Sequence, residues 1–151
     1  MWFYCVGCVA CIIGISRDVI NSNLSELVNN LNIDIKSTGT NLIGNGGVIN
    51  NNATITIAKI TALKKGKYLV IASALIHNVS IANIHQRIFI NSSLTSGQTS
   101  TTIPADGWLK NSVVTFLDIT TDNSTIEYKV NPQNSNVNVY DTAIYAIKLR
   151  S

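Results

Sequence analysis

Charge is scarce in this chain: 13% of its residues are Asp, Glu, Lys or Arg, and the formal net charge is only +3. A balance that small and that dispersed excludes the basic footprint that phosphate backbones select, so no nucleic-acid partner is expected. The one cationic cluster, Lys59, Lys64, Lys65 and Lys67, falls at an expected turn and reads as a solvated one. Cysteine is missing after residue 11, so the body of the chain carries no disulfide and must be held by its core. That leaves the redox compartment open.

Groups for catalysis are equally sparse. A serine hydrolase needs its nucleophile on a strained turn, and no Gly-x-Ser-x-Gly element occurs. Glycan hydrolysis needs two carboxylates facing each other across a cleft. The nearest candidates, Asp118, Asp122 and Glu127, crowd around one expected hairpin as turn and surface residues. The two histidines, His77 and His85, flank an expected loop and read as loop residues; a metal pair there would need converging imidazoles and further ligands. The glycines of Gly44-Asn45-Gly46-Gly47 lack a following Lys-Ser or Lys-Thr and an ensuing helix, which argues against a phosphate-cradling loop. No enzyme, cofactor or metal is therefore expected.

What the chain does have is 46% apolar residues and an abundance of Asn, Ser and Thr, enough for one substantial core with an uncharged polar surface. Residues 1–35 read as an N-terminal apolar and helical segment. Trp2 to Ile15 is an uncharged apolar run, too short to span a bilayer and lacking the basic start of an export signal. Its Cys5, Cys8 and Cys11 are spaced for thiolate ligation but want a fourth ligand, and the competing reading is small apolar packing. Ile13, Ile20, Leu24, Leu27 and Leu31 follow the rhythm of a coiled coil, which fits a short bundle at the mouth of a trimer or one amphipathic helix packed on its own domain. Residues 36–53, rich in Gly and Asn, read as a linker or a series of tight turns.

From Thr54 to the end, the period is that of strands. Tyr68 to Ile76 is apolar on both faces apart from Ser73, so one face meets an opposing sheet and the second needs a neighbour. Further strands are expected at Gln86 to Ile90, Val113 to Ile119, Ile126 to Val130 and Ala143 to Leu149. In the last, Ala143, Tyr145, Ile147 and Leu149 share one face, and the strand is expected beside Tyr68 to Ile76. The polar segments Asn91-Ser92-Ser93 and Thr121-Asp122-Asn123 read as connections. Many short strands of this kind specify an all-β sandwich or barrel. Sequons at Asn23, Asn52, Asn78, Asn91 and Asn123 read as chance in an Asn-rich chain.

The order Gly66-Lys67-Tyr68-Leu69-Val70-Ile71-Ala72, Arg87-Ile88-Phe89-Ile90-Asn91, Ala105-Asp106-Gly107-Trp108, Ser112-Val113-Val114-Thr115-Phe116 and Ala143-Ile144-Tyr145-Ala146-Ile147-Lys148-Leu149 resembles the C1q-like and TNF-like jelly rolls of bacteriophage tail and head fibres. The resemblance covers about Thr54 to Leu149 and rests on motifs of moderate specificity. Where the family often has a Gly-Asp pair, this chain has Lys110-Asn111-Ser112, which puts the geometry of an expected turn there in doubt. The resemblance implies a jelly-roll sandwich over residues 54–151 that forms a homotrimer through its inner sheet. Tyr68, Val70, Ala72, Ala74, Ile76, Tyr145 and Ile147 are the expected interface.

The function that follows is a non-enzymatic virion fibre or decoration protein, attached to other virion proteins by its N-terminal segment. Its head is expected to bind a host-surface glycan or simply to cover the capsid. The alternative is a bacterial secreted or membrane-tethered C1q-like binding protein, extracellular or at the cell surface, whose first fifteen residues are an export signal. Sugar recognition uses an aromatic face beside amides and hydroxyls, and Trp108 and Tyr140 are the aromatics expected nearest the surface. The competing reading of each is a lid on the sandwich core.

Overall fold

The computed structural model describes residues 33–38 and 40–149. The apolar run, the cysteines and the heptad expected in residues 1–32 lie outside the described residues. The described part is built from ten strands and no helix. They are β1 (Ile33–Thr38), β2 (Thr40–Asn41), β3 (Gly47–Ile49), β4 (Ile55–Leu63), β5 (Gly66–Asn78), β6 (Ala82–Ile90), β7 (Ser93–Ile103), β8 (Gly107–Ile119), β9 (Ser124–Gln133) and β10 (Val137–Leu149).

The strands form two sheets, one in the order β1-β10-β5-β8 with β3 also on β10, the other in the order β2-β4-β9-β6-β7. The pairings nest: β6 with β7, β5 with β8, β4 with β9 and β3 with β10, all antiparallel. The chain thus behaves as one long hairpin doubled between β6 and β7 and then rolled, which is a jelly-roll sandwich. The doubling point is a two-residue turn, Asn91-Ser92, in which both residues have positive φ (48° and 69°), the twist that suits a hairpin. Asn91 also clasps the next hairpin, its Oδ1 accepting from the Thr125 amide at 2.8 Å.

Period-two alternation decides which side chains enter the core. In β5, Tyr68, Val70, Ala72, Ala74 and Ile76 are fully buried, and the residues between them are not. They meet Ile57, Ile60, Ile84, Ile88, Ile126, Tyr128 and Val130 of the second sheet in one continuous core. Each fully buried aliphatic side chain contributes roughly 1.5–3 kcal/mol relative to exposure. In β10 the parity of the buried positions changes: Val137 and Val139 are buried, then Ile144 and Ala146. A bulge between Tyr140 and Ala143, with Asp141 at φ 44°, supplies the extra residue.

Several expectations change. Tyr68, Val70, Ala72, Ala74 and Ile76 are not interface residues: they fill the chain's own core, because their parity faces the opposing sheet. Lys110-Asn111-Ser112 is no turn but the middle of β8, which begins at Gly107. Residues 36–53 are not merely a linker, since β2 pairs with β4, β3 pairs with β10, and Ile49 is fully buried. No strand is expected over β7, of which only Ser93 belongs to an expected polar connection; in the structure Ser96, Gln98, Ser100 and Thr102 are exposed and Thr95, Thr99 and Thr101 between them half-buried, at a sheet edge where few apolar anchors are needed. Strands β5, β6, β8, β9 and β10 all run beyond the lengths that hydrophobic alternation alone marks.

Candidate functional site on the outer face of the first sheet

The face of β10, β5 and β8 turned away from the core can be read row by row from the register. Ile147, Leu69 and Phe116 stand side by side, and next to them Tyr145, Ile71 and Val114. Phe116 is 71% exposed, Val114 58% and Tyr145 42%, while Leu69, Ile71 and Ile147 are half-buried by one another. This is a contiguous apolar band three strands wide, not a scatter of single residues. It is bounded on one side by the row Leu149–Lys67–Asp118 and on the other by Ala143–Ser73–Ser112. A recess lined by Lys67, Tyr68, Phe116, Leu117, Asp118 and Leu149 opens at its edge.

Of the expected interface residues, Tyr145 and Ile147 lie in this band. Sequence reading missed Leu69, Ile71, Val114 and Phe116. A signal for the last two was present: Val113, Leu117 and Ile119 take one parity of β8 while Val114 and Phe116 take the other, so this strand too is apolar on both faces.

Beyond the Ser73–Ser112 row the character of the same face changes to aromatic. Trp108 opens β8 directly across from His77 of β5, with ring centroids 4.5 Å apart, and reaches Tyr140 of β10 at 5.2 Å. Since β5 lies between β8 and β10, the indole must lie across the sheet and over His77, and it remains 57% exposed. His77 Nε2 is held at 3.2 Å by Asp106 Oδ1, from the turn that precedes β8. Asp106 takes positive φ (53°) in that turn, and Gly107 fits against Pro104 and Ile103 where a Cβ would stand 2.7 Å from the Pro104 carbonyl oxygen. The structure therefore brings Trp108 and Tyr140 into one shelf, and neither is a lid on the core. His77 as its third ring was not expected, because its placement depends on a pairing 31 residues apart.

Other candidates do not converge. His77 sits on this face and His85 on the outer face of the second sheet. Asp118 lies on the first sheet, Glu127 on the second, and Asp122 accepts a hydrogen bond from the Lys65 amide at 2.7 Å in the turn after β8. Among the described residues no group of three His, Cys, Asp or Glu gathers to hold a metal. Of the sequons, Asn78 is buried, whereas Asn52, Asn91 and Asn123 are exposed at positive-φ turns. Two polar side chains enter the core with no hydrogen-bond partner among the described residues: Gln86, both of whose amide atoms are buried, and Tyr128, through its hydroxyl. Burial pushes the Tyr128 phenol well above its ordinary value.

No protein-family model matches the chain, and no curated protein matches it in sequence. Among solved structures, a chain of the T13 viral particle of infectious bursal disease virus is similar with a TM-score of 0.54 at 9% identity, over 78% of this chain and 31% of that one. A chain of the Gx strain of the same virus matches with a TM-score of 0.50 at 11% identity, over 78% and 33%. The Eiger TNF of S. frugiperda gives 0.45 at 10%, over 76% and 91%. This chain spans about a third of the length of the two viral chains, and at such identities the likeness is one of fold: the described residues form a jelly-roll sandwich.

Proposed function

We propose that the chain is a subunit of a homotrimeric, non-enzymatic virion fibre or decoration protein, whose jelly-roll head binds a host-surface glycan through Trp108 and Tyr140. The observation that carries self-association is the apolar band of Leu69, Ile71, Val114, Phe116, Tyr145 and Ile147. Soluble monomers seldom leave a contiguous patch of that kind open to water. Packing three copies by this band closes a ring around a three-fold axis and leaves the aromatic shelf at the other end of the face, the second sheet and its loops outside. The resemblance to fibre heads and the likeness in fold to chains of a viral particle support the virion setting. Residues 1–35 are assigned to attachment to other virion proteins.

The exposed indole of Trp108 supports the glycan reading, because the apolar face of a pyranose packs on such a ring while Asn138 and Tyr140 offer polar groups beside it. A glycan array probed with the full chain and with Trp108→Ala tests it. The expected result is a loss of about tenfold, or about 1.4 kcal/mol, in the variant. Undiminished binding by Trp108→Ala removes the site, and an array with no hits favours decoration without receptor binding.

A further inference from the structure

We propose that the outer face of the second sheet is a separate binding site for an acidic polysaccharide, one bearing carboxylate or sulfate groups, centred on Arg87. It lies on the sheet that carries neither the apolar band nor the aromatic shelf. In β6 the residues Ala82, Ile84, Gln86 and Ile88 enter the core, so Asn83, His85, Arg87 and Phe89 take the outer face. The register sets Arg87 between Gln98 of β7 and Lys129 of β9. Arg87 and Lys129 thus stand directly opposite each other on adjacent strands, where like charges repel.

Their counter-charges are unequal. Lys129 Nζ is 3.1 Å from Glu127 Oε2 and stands over the Phe89 ring at 4.4 Å. Glu127 Oε1 also accepts from Thr56 Oγ1 at 3.1 Å, so this carboxylate is engaged on both sides. It is the one acidic residue on β4, β6, β7 and β9. Arg87 is half-buried and has no hydrogen-bond or ion-pair partner among the described residues. Arg87 is thus the cation of this face whose charge no protein carboxylate answers, and a carboxylate or sulfate can meet its planar fork through two parallel hydrogen bonds.

Charge complementarity thus names the ligand's acidic group, and the surroundings name the rest. Gln98, His85 and Ser100 flank Arg87 with donors and acceptors suited to sugar hydroxyls. The face is a sheet surface without an enclosed pocket, which suits a polymer laid across strands more than a small molecule. Nucleic acid is disfavoured because base stacking needs an open aromatic face, and the Phe89 ring is covered by Lys129.

The test is a binding titration of the full chain with a heparin oligosaccharide and with polygalacturonate, which separate sulfate from carboxylate recognition. Neutral dextran and a single-stranded oligonucleotide serve as comparators. At least one acidic polysaccharide is expected to bind in a salt-sensitive manner and dextran is not. Arg87→Gln is expected to lose at least about tenfold in affinity, and Arg87→Lys, which keeps charge but not the planar fork, to lose part of it. Trp108→Ala should bind these probes unchanged, so a failed aromatic shelf and a failed Arg87 site give different results. No binding to either acidic polysaccharide, parent-like binding by both Arg87 variants, or equal affinity for the oligonucleotide with the same Arg87 dependence overturns the proposal.

Discussion

Gln86 and Tyr128 carry polar groups into the core that find no partner among the described residues. An unsatisfied buried polar group costs about 1–3 kcal/mol, whereas an apolar group of similar shape does not. Gln86→Met is therefore expected to raise unfolding free energy by about 1–2 kcal/mol, read from the urea midpoint at unchanged slope. Tyr128 carries a pH signature. Its folded-state pKa is raised above that of the unfolded chain, so the folded state holds the proton longer and stability falls as pH rises past the ordinary phenol value near 10. Below that pH the shift contributes no slope. The gap in stability between Tyr128→Phe and the parent should widen by about 1.4 kcal/mol per pH unit in that alkaline range, and a constant gap would mean the phenol is not shifted. At this scale Trp108 and Tyr140 were legible, because large aromatics beside turn residues and an Asn-rich segment stand out. Gln86, His77 and Arg87 were not, since each owes its setting to neighbours on other strands.

Among the elements, β5 was the most readable, and its double-sided apolarity correctly announced a strand covered on the inside with apolar side chains left on the outside. What the pattern withheld was which parity faces inward, because Tyr68, Val70, Ala72, Ala74 and Ile76 are as apolar as the Leu69, Ile71 and Leu75 between them. Strand β7 escaped for the opposite reason, carrying Ser, Thr and Gln at most positions, yet it packs closely at Gly97. A Cβ there would stand 2.7 Å from Thr115 Cγ2 and 2.8 Å from Thr115 Cβ, with Ile88 at 3.2 Å. Gly97→Ala is thus expected to destabilise by about 1–3 kcal/mol by forcing β7 and β8 apart, which a shift in denaturant midpoint would register. A variant as stable as the parent would show that the sheets give way freely at this edge. The bulge in β10 was likewise invisible in the sequence, although Tyr140 and Tyr145 share an outer face only because Asp141 and Thr142 absorb the change of parity.

At the scale of the described sandwich its two faces differ in chemistry: the first sheet carries the hydrocarbon band and the aromatic shelf, the second amides, hydroxyls and cations around the single ring of Phe89. That division matches an assembly in which the hydrocarbon band of the first sheet meets its copies, while the aromatic shelf at the far end of that face and the second sheet meet solvent or ligand. Placing a carboxylate in the band, as in Phe116→Glu, should disperse the assembly while leaving the far-ultraviolet circular dichroism of a β-sandwich intact, because Phe116 is 71% exposed in the single chain. Sedimentation equilibrium of the unmodified chain at micromolar concentration tests the account most directly. A mass of three chains, falling to one in Phe116→Glu, is the expected result; a parent that sediments as a single chain with Phe116 and Val114 open to water would contradict it.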